Sequence, residues 1–349
     1  MQGIITVVTI KRLAEMAGVS PSTVVNVLHG RTHIVKDATF RRVQKVIKEA
    51  DYIPNMGGRL LKNRESRIIG VIITYSHRDE GNIVHDPFHS EIIGVLEQEI
   101  RARGYFMMLY TSVNAAESIH MAKSWQVDGL IVIGGFAEDF SLFIQKISIP
   151  TVFIDGYFFN DGLPYVNVGL EDRHGAFLIT EYLIHKGHRR IAHLSVGDPT
   201  PPIGSGLERL MGYRDAMKQY KLPVSPSDYI PISYKFGERH EFYKKFAQKN
   251  LKKYSALFFF SDFYAVDAMA FFYDMGIRVP SDISICGFDN NIFAAQSRPR
   301  LSTVCQSVCD KAMHAVAQLF RLIKKEPLEN RVIRLGVSVH HGDSVQDLS

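Results

Sequence analysis

The chain has 349 residues, 46% of them hydrophobic and 22% charged, which is an ordinary soluble composition with room for two or three domains. The formal charge of +5 is uneven: residues 1–67 hold twelve Lys/Arg against five acids, a surplus of +7, leaving −2 elsewhere. Three cysteines without a CxxC pair indicate neither a zinc site nor a disulfide framework, and no apolar run reaches transmembrane length. Met1 to Ile10 lacks the basic and long apolar regions of a signal peptide, so a reduced, cytoplasmic protein with no membrane partner is expected.

Thr9 reads as the N-cap of a short helix whose apolar face is Ile10, Leu13, Ala14 and Ala17, stopped by Gly18. Ser20 then caps a second helix, with Pro21 at the first position, where a missing N–H costs nothing. Val24, Val27 and Leu28 face inward there, Ser22, Thr23, Asn26 and His29 face outward, and Gly30 ends it. Two short helices around a Gly-containing turn form a helix-turn-helix, whose second helix enters the DNA major groove. The basic surplus of the same segment supports a polyanion partner for the head alone. A third helix, roughly Asp37 to Ala50, turns Phe40, Val43, Val46 and Ile47 inward and Arg41, Arg42, Lys45 and Lys48 outward. Residues 55–66 read as a linker. Asn55 can cap a helix there, but Gly57 and Gly58 each cost about 1 kcal/mol in one, so partner-dependent order is expected.

From Arg67 strands and helices alternate. Strands are predicted at Ile68–Thr74, Tyr105–Thr111, Asp128–Ile133, Thr151–Ile154, Arg190–Val196, Tyr229–Ile232, Ala256–Phe260 and Ile283–Phe288. Helices are predicted at about 88–103, 115–124, 172–186, 207–219, 238–252, 263–275 and 307–325. This alternation predicts an α/β body of doubly wound parallel sheets, too long for one sheet and so divided into two subdomains, with a ligand beyond the C-terminal strand ends. Enzyme signatures are lacking: there is no phosphate loop, HExxH or GxSxG, and Gly204-Ser205-Gly206 fails the dinucleotide fingerprint because Arg209 holds the third glycine's place. Asp155 and Asp289 are a conceivable glycosidase pair, but nothing in the sequence orients them as acid and nucleophile. No cofactor or metal is expected, His340-His341 included.

The ordered motifs resemble the lactose-repressor (LacI) family of bacterial transcription regulators over nearly the whole chain. They run from Thr9-Ile-Lys, Ala14, Ala17-Gly-Val-Ser20, Thr23-Val24 and Val27-Leu28 through Tyr52, Pro54-Asn55 and Ile69-Gly70-Val71. Later matches are Asp128-Gly129-Leu130-Ile131, Gly187-His188-Arg189, Gly212-Tyr213, Gly287-Phe288-Asp289 and Leu301-Ser302-Thr303-Val304 with Gln306. The resemblance implies a helix-turn-helix headpiece at 1–54, a hinge at 55–66 and a periplasmic-binding-protein-like body at 67–349. We expect its first subdomain at about 67–163 plus 297–326 and its second at about 164–296 plus 327–349.

It further implies a homodimer on a near-palindromic double-stranded operator. The implied DNA contacts are Thr9, Ser20, Pro21, Ser22, Thr23, Asn26, His29, Asn55, Arg59 and Leu61. Leu61 stands where the family wedges a leucine into the minor groove, exchanging a stacked step for a bent duplex. Asn26 stands where the family usually has Arg, and Asn suits a bidentate contact with adenine. Val25 and Lys36 replace usual serines, the latter a capping one, and Gly57-Gly58 replace usual alanines. In the body the implied effector contacts are Asp155, Arg209 and Asp289, with Thr74, Ser261 and Gln306, and with Phe88 and Phe236 as apolar faces. Two carboxylates and a guanidinium suit a hydroxyl-rich ligand such as a sugar. The expected function is a repressor of carbohydrate uptake or metabolism genes, controlled by a small molecule. The alternatives are a cytoplasmic sugar-binding or sugar-processing protein that does not read DNA, and a global regulator with a protein co-effector.

Overall fold

The computed structural model describes residues 8–28, 30–31, 33–50, 52, 66–74, 83–112, 114–135, 143–157, 165–196 and 204–349. The expectations for His29, Asn55, Arg59, Leu61 and the two hinge glycines lie outside these residues. The chain forms two compact units, Met1–Arg64 and Glu65–Ser349.

In the first unit, α1 (Ile10–Ala17) is capped by Thr9, whose Oγ1 accepts from the Arg12 N–H at 3.2 Å. It stops at Gly18, whose φ of 61° is the left-handed conformation that glycine adopts freely. Helix α2 (Pro21–Leu28) starts at Ser20, whose Oγ accepts from the Thr23 N–H at 3.2 Å. Helix α3 (Asp37–Glu49) begins at Lys36 with no side-chain cap, as the replaced serine implied. Leu13, Val24 and Val43, one from each helix, are fully buried at the centre of the three-helix core, with Ala14, Ala17, Val27 and Val35 around them. Arg41, Arg42, Lys45 and Lys48 are exposed on α3.

Among the described residues, the second unit holds two six-stranded sheets. The first contains β1 (Ile68–Thr74), β2 (Phe106–Ser112), β3 (Gly129–Ile133), β4 (Thr151–Ile154), β5 (Asn167–Leu170) and β11 (Val332–Leu335), in the order β11-β5-β4-β3-β1-β2, all parallel. The second contains β6 (Ile191–Val196), β7 (Tyr229–Ile232), β8 (Ala256–Phe259), β9 (Ser284–Asp289), β10 (Ser302–Cys305) and β12 (Ser338–His340). Its order is β12-β10-β9-β8-β6-β7, with β12 alone antiparallel to its neighbour.

The intervening helices are α4 (Pro87–Ala102), α5 (Ala115–Ser124), α6 (Asp172–His185), α7 (Ser205–Gln219), α8 (Phe236–Lys249), α9 (Asp262–Asp274), α10 (Ile292–Gln296) and α11 (Val308–Ile323). Helices cover both faces of each sheet, which is why central strands such as β3 and β8 are apolar at every position. On the first sheet, one core joins Ile92 and Leu96 of α4 with Ala315 and Leu319 of α11, and another joins Ile119 of α5 with Leu130 and Phe153. On the second, α6 and α7 bury Ile179 and Tyr213 on one face, and α8 and α9 bury Tyr243 and Phe272 on the other.

Sheet membership corrects the expected division at three places. Strands β5 and β11, expected in the second subdomain, pair in the first sheet, and β10, expected in the first, pairs in the second. The chain therefore passes between the sheets after β5, between β10 and α11, and between β11 and β12. All four strands missing from the sequence reading, β5 and β10 to β12, are three or four residues long. Asn167-Val-Gly-Leu also carries two residues that strands disfavour. Asn167 is tolerated because its Oδ1 accepts from the Gly156 N–H at 2.9 Å.

Candidate functional site

In the head, the exposed start of α2 carries a hydroxyl cluster. Ser20 Oγ lies 2.8 Å from Ser22 Oγ and 2.9 Å from Thr23 Oγ1. Pro21 and Ser22 are exposed, Thr23 and Asn26 half-buried, and Val24 and Val27 point into the core. One face of α2 is thus spent on the core, and the opposite face presents short polar side chains, the arrangement a major groove accepts. Thr9, the residue directly before α1, is exposed while its hydroxyl is used as a cap.

In the body, Asp155 directly follows β4, Asp289 ends β9, Ser261 precedes α9 after β8, and Gln306 follows β10, so all stand at C-terminal strand ends. A continuous polar network joins the two lobes through Asp155, Gln306 and Asp289. Lys311 of α11, fully buried, donates from Nζ to both oxygens of Asp155, at 3.0 and 2.7 Å, and to Gln306 Oε1 at 2.8 Å. Gln306 Nε2 donates to Asp289 Oδ1 at 2.7 Å, and Arg209 Nη1 lies 4.0 Å from the same oxygen. Arg209 Nε donates to Asp172 Oδ1 at 2.8 Å and Nη1 to the Phe260 carbonyl at 2.5 Å. The Tyr157 hydroxyl, beyond β4, donates to Asp172 Oδ2. Arg209 is held between aromatic faces, 3.6 Å from the Phe288 centroid and 4.5 Å from that of Phe260. The Phe88 ring lies 5.0 Å from Lys311 Nζ.

Burial shapes the charges. It pushes the Asp289 carboxyl well above the usual carboxylate range, against the pull of Arg209 and with help from Asp262 and Asp86. It raises Asp172 as well, opposed by Arg209. Asp262 is pushed up to about 6 by burial, although the Thr303 hydroxyl and the Asn291 and Asn290 N–H groups favour its ionised form. Asp155 and Asp289 hold left-handed backbone conformations, with φ of 55° and 131°, a strain of the kind that concentrates at functional sites. The buried Ser261 hydroxyl has no hydrogen-bond partner among the described residues, a capacity left for a ligand.

The structure thus brings Asp155, Arg209, Asp289 and Gln306 into one network, with Phe88 beside it. No hydrogen bond or ion pair joins Thr74 or Phe236 to it among the described residues. Thr74 donates to the Ile133 carbonyl at 3.0 Å. Phe236, 63% exposed, lies beyond the edge strand β7 with its ring tilted against His240, centroids 3.9 Å apart. Sequence reasoning missed Lys311, Asp172 and Tyr157. Lys311 carried a signal: it falls on the apolar register of α11 with Val308, Ala312, Ala315 and Leu319, where a cation demands a buried partner. Among the described residues no group of His, Cys, Asp and Glu is arranged to hold a metal, and no helix is long and apolar enough to cross a membrane.

Residues 9–55 match the family described as bacterial regulatory proteins, lacI family, and residues 180–345 match a periplasmic binding protein-like domain. The ribose operon repressor of Haemophilus influenzae is 30% identical over 331 residues, covering 92% of this chain and 93% of that protein. The solved structure of the lac repressor dimer bound to operator and the anti-inducer ONPF shares the fold, with a TM-score of 0.82 at 22% identity over 97% of this chain and 99% of that one. A complex of the transcriptional regulator CelR with cellobiose does so with a TM-score of 0.70 at 22% identity, covering 96% and 99%.

Proposed function

The chain belongs to the lacI family of bacterial regulatory proteins, as a DNA-binding transcription regulator and not an enzyme, and we propose that it represses carbohydrate uptake or metabolism genes under the control of a sugar. It acts in the cytoplasm as a homodimer, each head reading one half of a near-palindromic operator. The effector lies between the two lobes against Asp155, Arg209, Ser261, Asp289 and Gln306, with Phe88 and Phe236 offering apolar faces and Thr74 a lesser contact. In the head, Thr9, Ser20, Pro21, Ser22, Thr23, Asn26 and His29 contact DNA, and Asn55, Arg59 and the minor-groove leucine Leu61 serve from the hinge.

The observation that carries this reading is the buried polar network across the C-terminal strand ends, with the unpartnered Ser261 hydroxyl beside it. Its carboxylates, guanidinium and hydroxyl match the donors and acceptors of a polyol. The names of the ribose operon repressor and of the cellobiose complex support a sugar, and the operator-bound dimer supports the assembly. Control is linkage: a ligand that binds one lobe arrangement better changes operator affinity, and operator changes ligand affinity by the same factor.

The test is fluorescence anisotropy of a selected operator duplex with and without a panel of pentoses, hexoses and disaccharides. One sugar should shift operator affinity, and operator should shift that sugar's affinity equally. If no sugar has an effect, sugar control is refuted. Deleting residues 1–66 should abolish DNA binding and spare sugar binding.

A further inference from the structure

We propose that Arg31 is a specificity-determining residue: it locks the Asn26 amide so that the pair presents only donors and reads guanine in place of adenine. The inference rests on the head being the operator reader.

The end of α2 supplies the geometry. Gly30 has a φ of 66°, and its N–H bonds to the Val27 carbonyl at 3.0 Å. The next N–H, that of Arg31, returns to the Asn26 carbonyl at 3.0 Å. This six-to-one closure is a Schellman motif, and it folds the residue after the glycine back over the last turn of the helix. The Arg31 side chain completes the return, with Nη1 donating to Asn26 Oδ1 at 3.5 Å. Arg31 is exposed, and among the described residues no carboxylate pairs with it.

An arginine can only donate, so the amide oxygen of Asn26 must face it, and the orientation of the amide is settled by chemistry. The Nδ2 donors then point away from Arg31. Adenine presents an acceptor at N7 and a donor at N6, and an asparagine pairs with it by offering one donor and one acceptor. Here the acceptor is engaged by a cationic donor, so it is not free to take the adenine amino group. Guanine presents acceptors at both N7 and O6, which a donor-only edge satisfies. Asn26 with Arg31 therefore acts as a two-residue substitute for a single guanine-reading arginine.

The test is a selection of duplexes from a random-sequence library by the full chain, followed by affinities for the enriched site with each base at the position concerned. Asn26→Ala identifies that position as the one whose preference collapses. The wild type should select guanine there. Arg31→Ala, an exposed change that leaves the backbone closure intact, should shift the choice towards adenine, by roughly fivefold to a hundredfold in the ratio of the two affinities. A wild-type preference for adenine overturns the proposal. So does a uniform loss of affinity in Arg31→Ala at every sequence with a shallower salt dependence, the signature of a phosphate contact. An Asn26→Ala variant with unchanged preference at all positions also overturns it. Selection of no sequence at all refutes the operator-reading head itself, a result distinct from the others.

Discussion

Replacing Lys311 with Met keeps the length of the side chain and removes the ammonium that both oxygens of Asp155 bind. Lys311 is fully buried, while the Asp155 side chain keeps 19% of its surface, so water can recover part of the lost interaction at the carboxylate. Breaking a buried pair from one side costs about 3–5 kcal/mol, and with that partial exposure we expect about 2–4 kcal/mol for Lys311→Met. Asp155→Asn leaves the ammonium buried without a counter-charge and should cost about 3–5 kcal/mol, although Asn accepts the left-handed backbone at this position. The double variant buries no uncompensated charge, so it should be less destabilised than the sum of the singles by about 2 kcal/mol or more. Urea unfolding followed through the single tryptophan, Trp125, which lies in the same lobe after α5, reads the four corners of this cycle. Singles that each cost under about 1 kcal/mol, or that add to give the double, would refute the view that Lys311 and Asp155 act as one buried electrostatic unit.

His193, fully buried between Tyr213, Tyr229 and Phe258, has its imidazole pushed from 6.5 down to about 3 by burial. The unfolded chain therefore takes up that proton first as pH falls. The stability it contributes is whole above about pH 6.5 and is lost towards pH 3, at up to about 1.4 kcal/mol per pH unit. His193→Phe should flatten the decline between pH 6.5 and 4, and an unchanged slope in chemical denaturation would count against this origin. Gly212 has no room for a side chain, because a Cβ would run into the Arg173 carbonyl and the Ala176 methyl where α7 crosses α6. Gly212→Ala should cost about 1–3 kcal/mol or more, whereas Gly94→Ala, in open space on α4, should gain about 0.5–1 kcal/mol, and thermal melts that ranked them otherwise would contradict the packing. Ser20→Ala removes the cap of α2 and should lower the stability of the head by about 1 kcal/mol, measured by the melting of its helical circular dichroism.

What the sequence determined by itself is what local chemistry controls. The caps Thr9 and Ser20, the stop at Gly18 and the apolar stripes of α1 to α3 each depend on residues within a turn or two, and the structure uses them as predicted. Strands β1 and β4 were legible to the residue, because each carries an apolar run that suits burial on both faces. The positions of Asp155 and Asp289 at strand ends followed from the same runs. Strands β5, β10, β11 and β12 were not legible, since none has three large apolar residues in a row, and they acquire their identity from the neighbours they pair with. The path of the chain between the sheets was misjudged for that reason.

Only the tertiary structure decided what the carboxylates face. Asp155 meets Lys311 across 156 positions of sequence and Asp172 meets Arg209 across 37, and no local rule links residues so far apart. A charge becomes part of a site when folding removes water from around it and leaves one partner within reach, and that partner is chosen by the packing of α11 and α7 against the strand ends rather than by the residues on either side of it.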